Sequence, residues 1–362
     1  MRIINIIKDI QPIRMGVYRA ATDTATCLLD NYNVSSELWF PGNDYGNRFP
    51  SVTPVSFNNT SIKTLQYLLK ERELNPASDI IATHSPWSYQ SRWGSHLSAM
   101  GFKWIFTAHG TFQPTYLAQK WLKKKIYYEL FEKKYLSKVD AIRAISLPEK
   151  ENLEKKFPGK NIVLVANGCD IIPGMPQQQR EKTVFLYMSR LHPQKRVVQL
   201  AEAWISSSLN NQAAFQLYIA GPDDGELKKL TPLLRQSNNA VYLGAVYKEE
   251  KEQLLNKCCF FILPSIGEGF PVSIVETAGK GLIPVITEGC NFPEIFTNGL
   301  AVKTGTEAEQ IRSSLEFCAA MDENTRISMS NNIKAFMKAH YSLEIIAAKQ
   351  YELYKKLLEQ HK

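Results

Sequence analysis

The sequence predicts an α/β protein of two doubly wound domains, each a mostly parallel sheet covered by helices. Three observations carry that expectation. Short apolar runs alternate with stretches of helical periodicity along the chain. The alternation falls into two blocks. Between them lies Ile171-Ile172-Pro173-Gly174-Met175-Pro176-Gln177-Gln178-Gln179-Arg180, where Pro, Gly and a Gln run offer nothing to bury. The expected divisions are residues 1–172, 173–342 and a closing helix, 343–362.

In the first block, Ile3–Ile7, Asp79–Thr83, Trp104–Thr107, Ala141–Ile145 and Ile162–Val165 read as strands. The opening run resembles a secretion signal only briefly: Lys8, Asp9 and Arg14 interrupt it and no small-residue cleavage site follows. In the second block the strands are Thr183–Met188, Gln216–Ala220, Ala240–Leu243, Phe260–Leu263, Ile283–Ile286 and Leu300–Val302. The last stretch, Leu343–Leu358, is a strong helix with Ile346, Tyr351, Tyr354 and Leu357 available for burial.

At 362 residues the chain can bury two cores, and 44% hydrophobic with 22% charged content is ordinary for a globular protein. No apolar segment approaches the roughly 20 residues that span a bilayer. Cys27, Cys169, Cys258, Cys259, Cys290 and Cys318 show no Cys-x-x-Cys spacing and read as reduced core residues of a cytosolic protein. The net charge of +8 is uneven: residues 1–175 hold 22 Lys and Arg against 15 Asp and Glu, the remainder 21 against 20. Much of the excess lies in Lys120–Lys138, read as one helix with apolar or aromatic residues at Trp121, Ile126, Tyr128, Leu130, Phe131 and Tyr135. Such a helix either lies on an anionic bilayer or packs on the sheet with a solvated Lys face, and both readings account for the apolar positions. Nucleic acid is excluded as a partner because no recognised nucleic-acid module accompanies the patch.

Two stretches carry chemistry. In Pro264-Ser265-Ile266-Gly267-Glu268-Gly269-Phe270-Pro271-Val272-Ser273-Ile274-Val275-Glu276, an apolar strand ends in a Gly-flanked carboxylate, and a second carboxylate follows eight positions later on a helix that Pro271 suits as first residue. A strand-to-helix loop presents backbone N–H groups and a positive helix end to an anion, while carboxylates accept hydroxyl hydrogen bonds. Phosphate and polyol together make a sugar nucleotide. In Ser189-Arg190-Leu191-His192-Pro193-Gln194-Lys195-Arg196, a guanidinium and an ammonium at a helix entrance can neutralise a departing diphosphate. Arg196 offers a further cation. Taken singly, either stretch is also what solvated surface residues would look like; their order and spacing favour function.

These stretches resemble the Glu-x7-Glu signature and the Gly-Arg-Leu-x-x-x-Lys-Gly turn of retaining glycosyltransferases of the GT-B fold, most closely glycosyltransferase family 4. Weaker matches recur in order: Asn167-Gly168-Cys169-Asp170 before the linker, Ala220-Gly221-Pro222-Asp223-Asp224-Gly225 near the nucleotide, and Gly244-Ala245-Val246 beside the base. The chain departs from the pattern at Ser189 and Arg196, which replace Gly, and at Met15, which replaces the partner of Gly16 in a Gly-Gly loop after the first strand.

The resemblance implies two Rossmann-like domains with an interdomain cleft, the final helix crossing back to the first. It assigns Arg190 and Lys195 to the leaving diphosphate, Glu276 to the ribose, and Glu268 with the backbone of Gly269, Phe270 and Pro271 to the transferred sugar. Gly16 approaches phosphate, and Gly221 and Val246 line the nucleotide. His109, ending the strand before Gly110, sits close to the donor sugar and joins Arg190, Lys195 and Glu268 as catalytic residues; His84 helps the acceptor. The implied reaction transfers a hexose-type sugar, from UDP rather than GDP, to a saccharide or lipid-linked saccharide of bacterial envelope polysaccharide or lipopolysaccharide. No metal or cofactor is expected, Asp223-Asp224 notwithstanding. The implied location is the cytoplasm, peripheral on the inner membrane face. A sugar-nucleotide epimerase of the same architecture and a non-catalytic sugar-nucleotide-binding protein are the alternatives.

Overall fold

The computed structural model describes residues 1–10, 15–42, 50–118, 120–171, 182–270 and 272–360. The expected linker from 172 to 180, Arg14 and Pro271 lie outside the described residues. The chain divides into two compact units, Met1–Gly168 with Leu343–Lys362, and Cys169–Ser342.

In the first unit the strands are β1 (Arg2–Ile6), β2 (Ser35–Pro41), β3 (Val52–Phe57), β4 (Asp79–His84), β5 (Lys103–Thr107), β6 (Ala141–Ala144) and β7 (Ile162–Leu164). Among the described residues they form a parallel sheet in the order β3-β2-β1-β4-β5-β6-β7. Five of them fall on the apolar runs of the sequence. The other two, β2 and β3, carry residues that argue against a strand: Glu37 in the middle of β2 and Pro54 within β3. The fold accommodates both. Glu37 is buried and accepts from Trp39 Nε1 at 2.8 Å and Arg72 Nη2 at 2.9 Å, with Arg2 alongside. Pro54 sits on the edge strand, where a missing N–H is tolerated.

One face of this sheet buries Trp93, Trp104, Phe106 and Leu65. The other buries Ile3, Ile80 and Ile105 against the last helix, Leu343–Glu359, through Ile346, Leu353, Tyr354 and Leu357. Each such side chain contributes about 2 kcal/mol of burial, and Tyr351 stacks on Tyr32 with ring centroids 4.3 Å apart. That is how a segment 343 residues along the chain belongs to the first unit.

The Lys120–Lys138 stretch departs from expectation. It forms a helix over Trp121–Tyr127, π-helical turns over Tyr128–Glu132 and a last helical turn over Lys133–Leu136. Glu132 and Leu136 are buried and Tyr128 and Tyr135 pack on the core, but Trp121, Leu122, Ile126, Leu130 and Phe131 are exposed. Packing on the sheet therefore does not account for most of the apolar positions.

In the second unit the strands are β8 (Thr183–Met188), β9 (Phe215–Ala220), β10 (Ala240–Gly244), β11 (Phe260–Leu263), β12 (Ile283–Ile286) and β13 (Val302–Lys303), a parallel sheet in the order β10-β9-β8-β11-β12-β13 among the described residues. The expected strand Leu300–Val302 is thus shifted, with only Val302 in common. Phe185 stacks on Phe260 at 4.9 Å and meets Trp204 edge-on, joining β8, β11 and the helix Val197–Ser206. In both sheets the chain order reverses once, between β1 and β4 and between β8 and β11. Ligands of open α/β sheets lodge outside the carboxyl ends of strands at such a reversal. The segments leaving those four strands are where chemistry belongs.

Candidate active site

In the second unit, the segment leaving β8 and the segment leaving β11 are bonded into one piece. His192 Nδ1 accepts from the Gln194 N–H at 3.2 Å and caps the tight turn Pro193–Lys195. The Gln194 carbonyl accepts from the Ile266 N–H at 2.9 Å, and the Glu268 N–H donates to the Gly289 carbonyl at 2.8 Å. Lys195 Nζ donates to Glu268 Oε1, both side chains being largely buried. Asn291 holds the Glu268 carbonyl. A Cβ on Gly289 would fall 2.4 Å from the Ile266 carbonyl oxygen, so this approach admits only glycine.

Arg190 Nη1 pairs with Asp224 Oδ2 at 2.5 Å, with 44% of its side chain exposed. Its turn lies against the loop after β9: the Leu191 N–H donates to the Pro222 carbonyl at 2.9 Å, and a Cβ on Gly221 would meet the Ser189 carbonyl oxygen at 1.9 Å. Arg196 takes φ +57°, the left-handed region that favours glycine, which is the physical reason a Gly suits this position. Its guanidinium is held by Glu307 at 2.8 Å. Glu276 lies on the helix Val272–Gly279 and pairs with Lys251. Val246 is buried beyond β10. Phe270 is buried against Phe292 and Tyr341, with ring centroids at 5.4 and 5.9 Å, so its ring belongs to the core. Gly269 is half-buried beside it.

In the first unit, His109 and Gly110 follow β5 with φ +54° and +76°. The carboxylate of Glu149 fixes this turn, accepting from the N–H groups of Gly110 at 2.5 Å and Ile145 at 2.8 Å. His109 Nε2 lies 2.9 Å from His84 Nδ1, and His84 Nε2 lies 3.1 Å from Asn5 Oδ1. Asn5 Nδ2 is directed to the Glu37 carbonyl, so Oδ1 is the atom facing His84 and can only accept. His84 therefore carries its proton on Nε2, accepts at Nδ1 from His109 Nε2–H, and leaves His109 Nδ1 as an acceptor. Both rings stay neutral. Burial, then the buried Arg143, pushes His109 down to about 3, and burial, then His109 and Arg143, holds His84 well below the usual range. Arg143 is itself spent on the carbonyls of Val165 and Ala166, each at 2.8 Å, and on Asn167 Oδ1.

Gly16 lies in the first turn of the helix Met15–Thr22 rather than in a loop, exposed and with no atom within 4 Å of where a Cβ would stand. The structure thus joins Lys195 to Glu268 and Arg190 to the Gly221 turn, and it keeps the Phe270 ring out of the site. Lys251, Gly289, Asn291 and Asn5 have no pattern in the sequence, and neither has the pairing of Asp224 with Arg190 or of His84 with His109. Among the described residues no group of three or more His, Cys, Asp and Glu side chains is placed to hold a metal ion. Among the described residues no helix is long and apolar enough to cross a membrane.

The family model described as Glycosyltransferase Family 4 matches residues 38–171, and that described as Glycosyl transferases group 1 matches residues 172–336. The N,N'-diacetylbacillosaminyl-diphospho-undecaprenol alpha-1,3-N-acetylgalactosaminyltransferase of Campylobacter jejuni is 31% identical over 187 residues, 49% of this chain and 46% of that protein. The chain spans about half the length of the curated relatives it matches. A glycosyltransferase of Rickettsia africae superposes with a TM-score of 0.75 at 16% identity, covering 99% of this chain and 98% of that one. HepE of Anabaena, solved in complex with UDP and glucose, superposes with a TM-score of 0.72 at 16% identity, covering 98% and 100%. At such identities the likeness shows the fold.

Proposed function

We propose that this chain, which belongs to glycosyltransferase family 4 and has the GT-B fold, moves a hexose-type sugar from a UDP-sugar to a lipid-linked saccharide, with retention at the anomeric carbon and without a metal. The observation that carries this reading is the junction of Lys195 with Glu268, which sets a cation and a sugar-binding carboxylate side by side at the switch point between β8 and β11. Arg190 beside Asp224 and Glu276 beside Lys251 supply the same pairing twice more. An arriving diphosphate replaces the carboxylates as partner of Arg190 and Lys195, and each charge-assisted bond is worth about 1.5–3 kcal/mol. As the bond from sugar to phosphate breaks, the two cations stabilise the departing nucleoside diphosphate.

Glu268 and the loop after it hold the sugar hydroxyls, and Glu276 accepts from the ribose. His109 offers its Nδ1 lone pair to a sugar hydroxyl, a neutral acceptor at physiological pH. Retention follows attack on the face from which the diphosphate leaves, with the leaving phosphate taking the acceptor proton. This route has no need of the two carboxyls about 5 Å apart that retaining hydrolases use.

UDP as the donor base is supported by the UDP complex of HepE. A lipid-diphosphate acceptor and an envelope pathway are supported by the name of the Campylobacter relative. Peripheral membrane binding is supported by exposed Trp121, Leu122, Ile126 and Leu130, interleaved with Lys123 and Lys125. A thermal-shift series with UDP and GDP tests the reading: UDP should raise the melting temperature more than GDP. If neither nucleotide raises it, the donor site is misassigned.

A further inference from the structure

The first unit contains a cavity that the donor chemistry leaves unused. It has a volume of about 510 Å³, and its lining includes Lys8 just after β1, Pro41 at the end of β2, and Ser88 and Tyr89 after β4. It therefore opens at the carboxyl ends of the strands around the β1–β4 reversal.

Its lining combines two cations, Lys8 and Arg92, with the rings of Tyr89, Tyr127, Phe131 and Tyr135. Arg92 uses one Nη on the Thr60 carbonyl, while its Nε is buried with no hydrogen-bond partner among the described residues. Lys8 is exposed and makes no hydrogen bond or ion pair among the described residues. Two carboxylates come near. Asp9 acts on Tyr89, and Glu132 acts on Tyr127 together with Arg92. Glu132 is turned into the core, bonded to Ser91, and burial raises it to about 7, so it only partly offsets Arg92. Tyr127 packs on Phe131 with ring centroids 5.3 Å apart, and Phe131 is itself exposed, so the ring-lined wall reaches the exposed apolar residues of Trp121–Phe131. Tyr127, Phe131 and Tyr135 lie on or beside the π-helical turns, a distortion frequent at functional sites.

We infer that this cavity binds the diphosphate of a lipid-linked acceptor, Lys8 and Arg92 holding the phosphates and the rings of Tyr127, Phe131 and Tyr135 leading the lipid out along the exposed apolar face. The inference rests on the glycosyltransferase reading for what the acceptor is, but the cavity's ligand can be tested apart from it. Two cations lining one cavity suit a phosphate, and a ring-lined exit suits the first isoprene units.

The test uses the full chain saturated with UDP, so that the donor site is filled, and titrates farnesyl diphosphate below its micelle concentration by calorimetry. The wild type should bind it, with farnesol and inorganic diphosphate each at least tenfold weaker. Lys8→Met, at an exposed position that cannot compromise folding, should weaken binding about threefold or more. Lys8→Met/Arg92→Met should weaken it at least tenfold while UDP affinity stays unchanged. Equal binding of farnesyl diphosphate by both variants and wild type, or farnesol binding as well as the diphosphate, overturns the inference. If UDP itself fails to bind, the donor reading is what fails, and the farnesyl diphosphate comparison still judges the cavity.

Discussion

Nδ1 of His84 lies 2.9 Å from Nε2 of His109, and with Asn5 Oδ1 on the far side of the His84 ring this contact sets the tautomer of the pair, while burial keeps both rings neutral. Because burial depresses both rings, the unfolded chain binds more protons than the folded one at any pH between the folded values and about 6.5. The stability they contribute is complete above about pH 6.5 and is lost as the pH falls towards 3. For His109 the loss between pH 7 and pH 5 is about 2 kcal/mol. Urea unfolding of His109→Asn should show that much less acid destabilisation than the wild type; an unchanged pH slope would mean the ring is not held neutral.

Glu132 acts with the opposite sign. Burial raises it to about 7, so the folded state holds the extra proton, and its contribution is present below about pH 4.5 and lost as the pH rises through 7. Relative to wild type, Glu132→Gln should be more stabilised at pH 8 than at pH 4.5. A difference independent of pH would contradict a buried, titrating carboxyl.

Arg196 and Gly221 test the backbone of the donor side. Arg196→Gly relieves a left-handed residue while losing one ion pair to an exposed Glu307 carboxylate, so stability should change by less than about 1 kcal/mol. Arg196→Ile, β-branched at the same φ, should cost about 1–3 kcal/mol. Gly221→Ala must displace the Ser189 carbonyl and should cost about 3 kcal/mol or more, against about 1 kcal/mol for Gly225→Ala, where nothing lies within 4 Å. Equal losses at the two glycines would remove the close approach from the account.

The exposed face of Trp121–Phe131 predicts a vesicle result. Replacing Trp121, Leu122, Ile126 and Leu130 by Ser should leave the fold intact, since all four are exposed, and should abolish co-sedimentation with anionic vesicles at low salt. Replacing Lys123, Lys125 and Lys134 by Ser should weaken binding most where salt is lowest. Wild-type binding by both variants would reduce the segment to a surface element without a partner.

The parts of this fold legible in sequence were those with local signals. Buried parallel strands such as Phe260–Leu263 are continuous apolar runs, and the Arg190–Lys195 and Glu268–Glu276 stretches combine Gly, Pro and charge at short spacing. β2 was hidden because the charge of Glu37 is answered by Arg72, 35 positions away, and by Arg2 on a neighbouring strand. β3 was hidden by Pro54, whose tolerance depends on edge position. The His84–Asn5 relay joins three separate segments, and the Lys195–Glu268 pair spans 73 positions, so the residues show in the sequence while their pairing does not. For Lys120–Lys138 the sequence leaves a bilayer face and a packed face both open, and neither the π-helical turns at Tyr128–Glu132 nor the exposure of Trp121, Ile126, Leu130 and Phe131 has a local signal.

Titrating UDP into the full chain by calorimetry, with and without EDTA, and repeating it with Arg190→Ala decides whether the turn after β8 holds the donor diphosphate. Binding should survive EDTA and weaken at least tenfold in Arg190→Ala, while the unfolding midpoint barely moves because 44% of that side chain is exposed. Unchanged UDP affinity in Arg190→Ala would show that the turn does not hold the diphosphate.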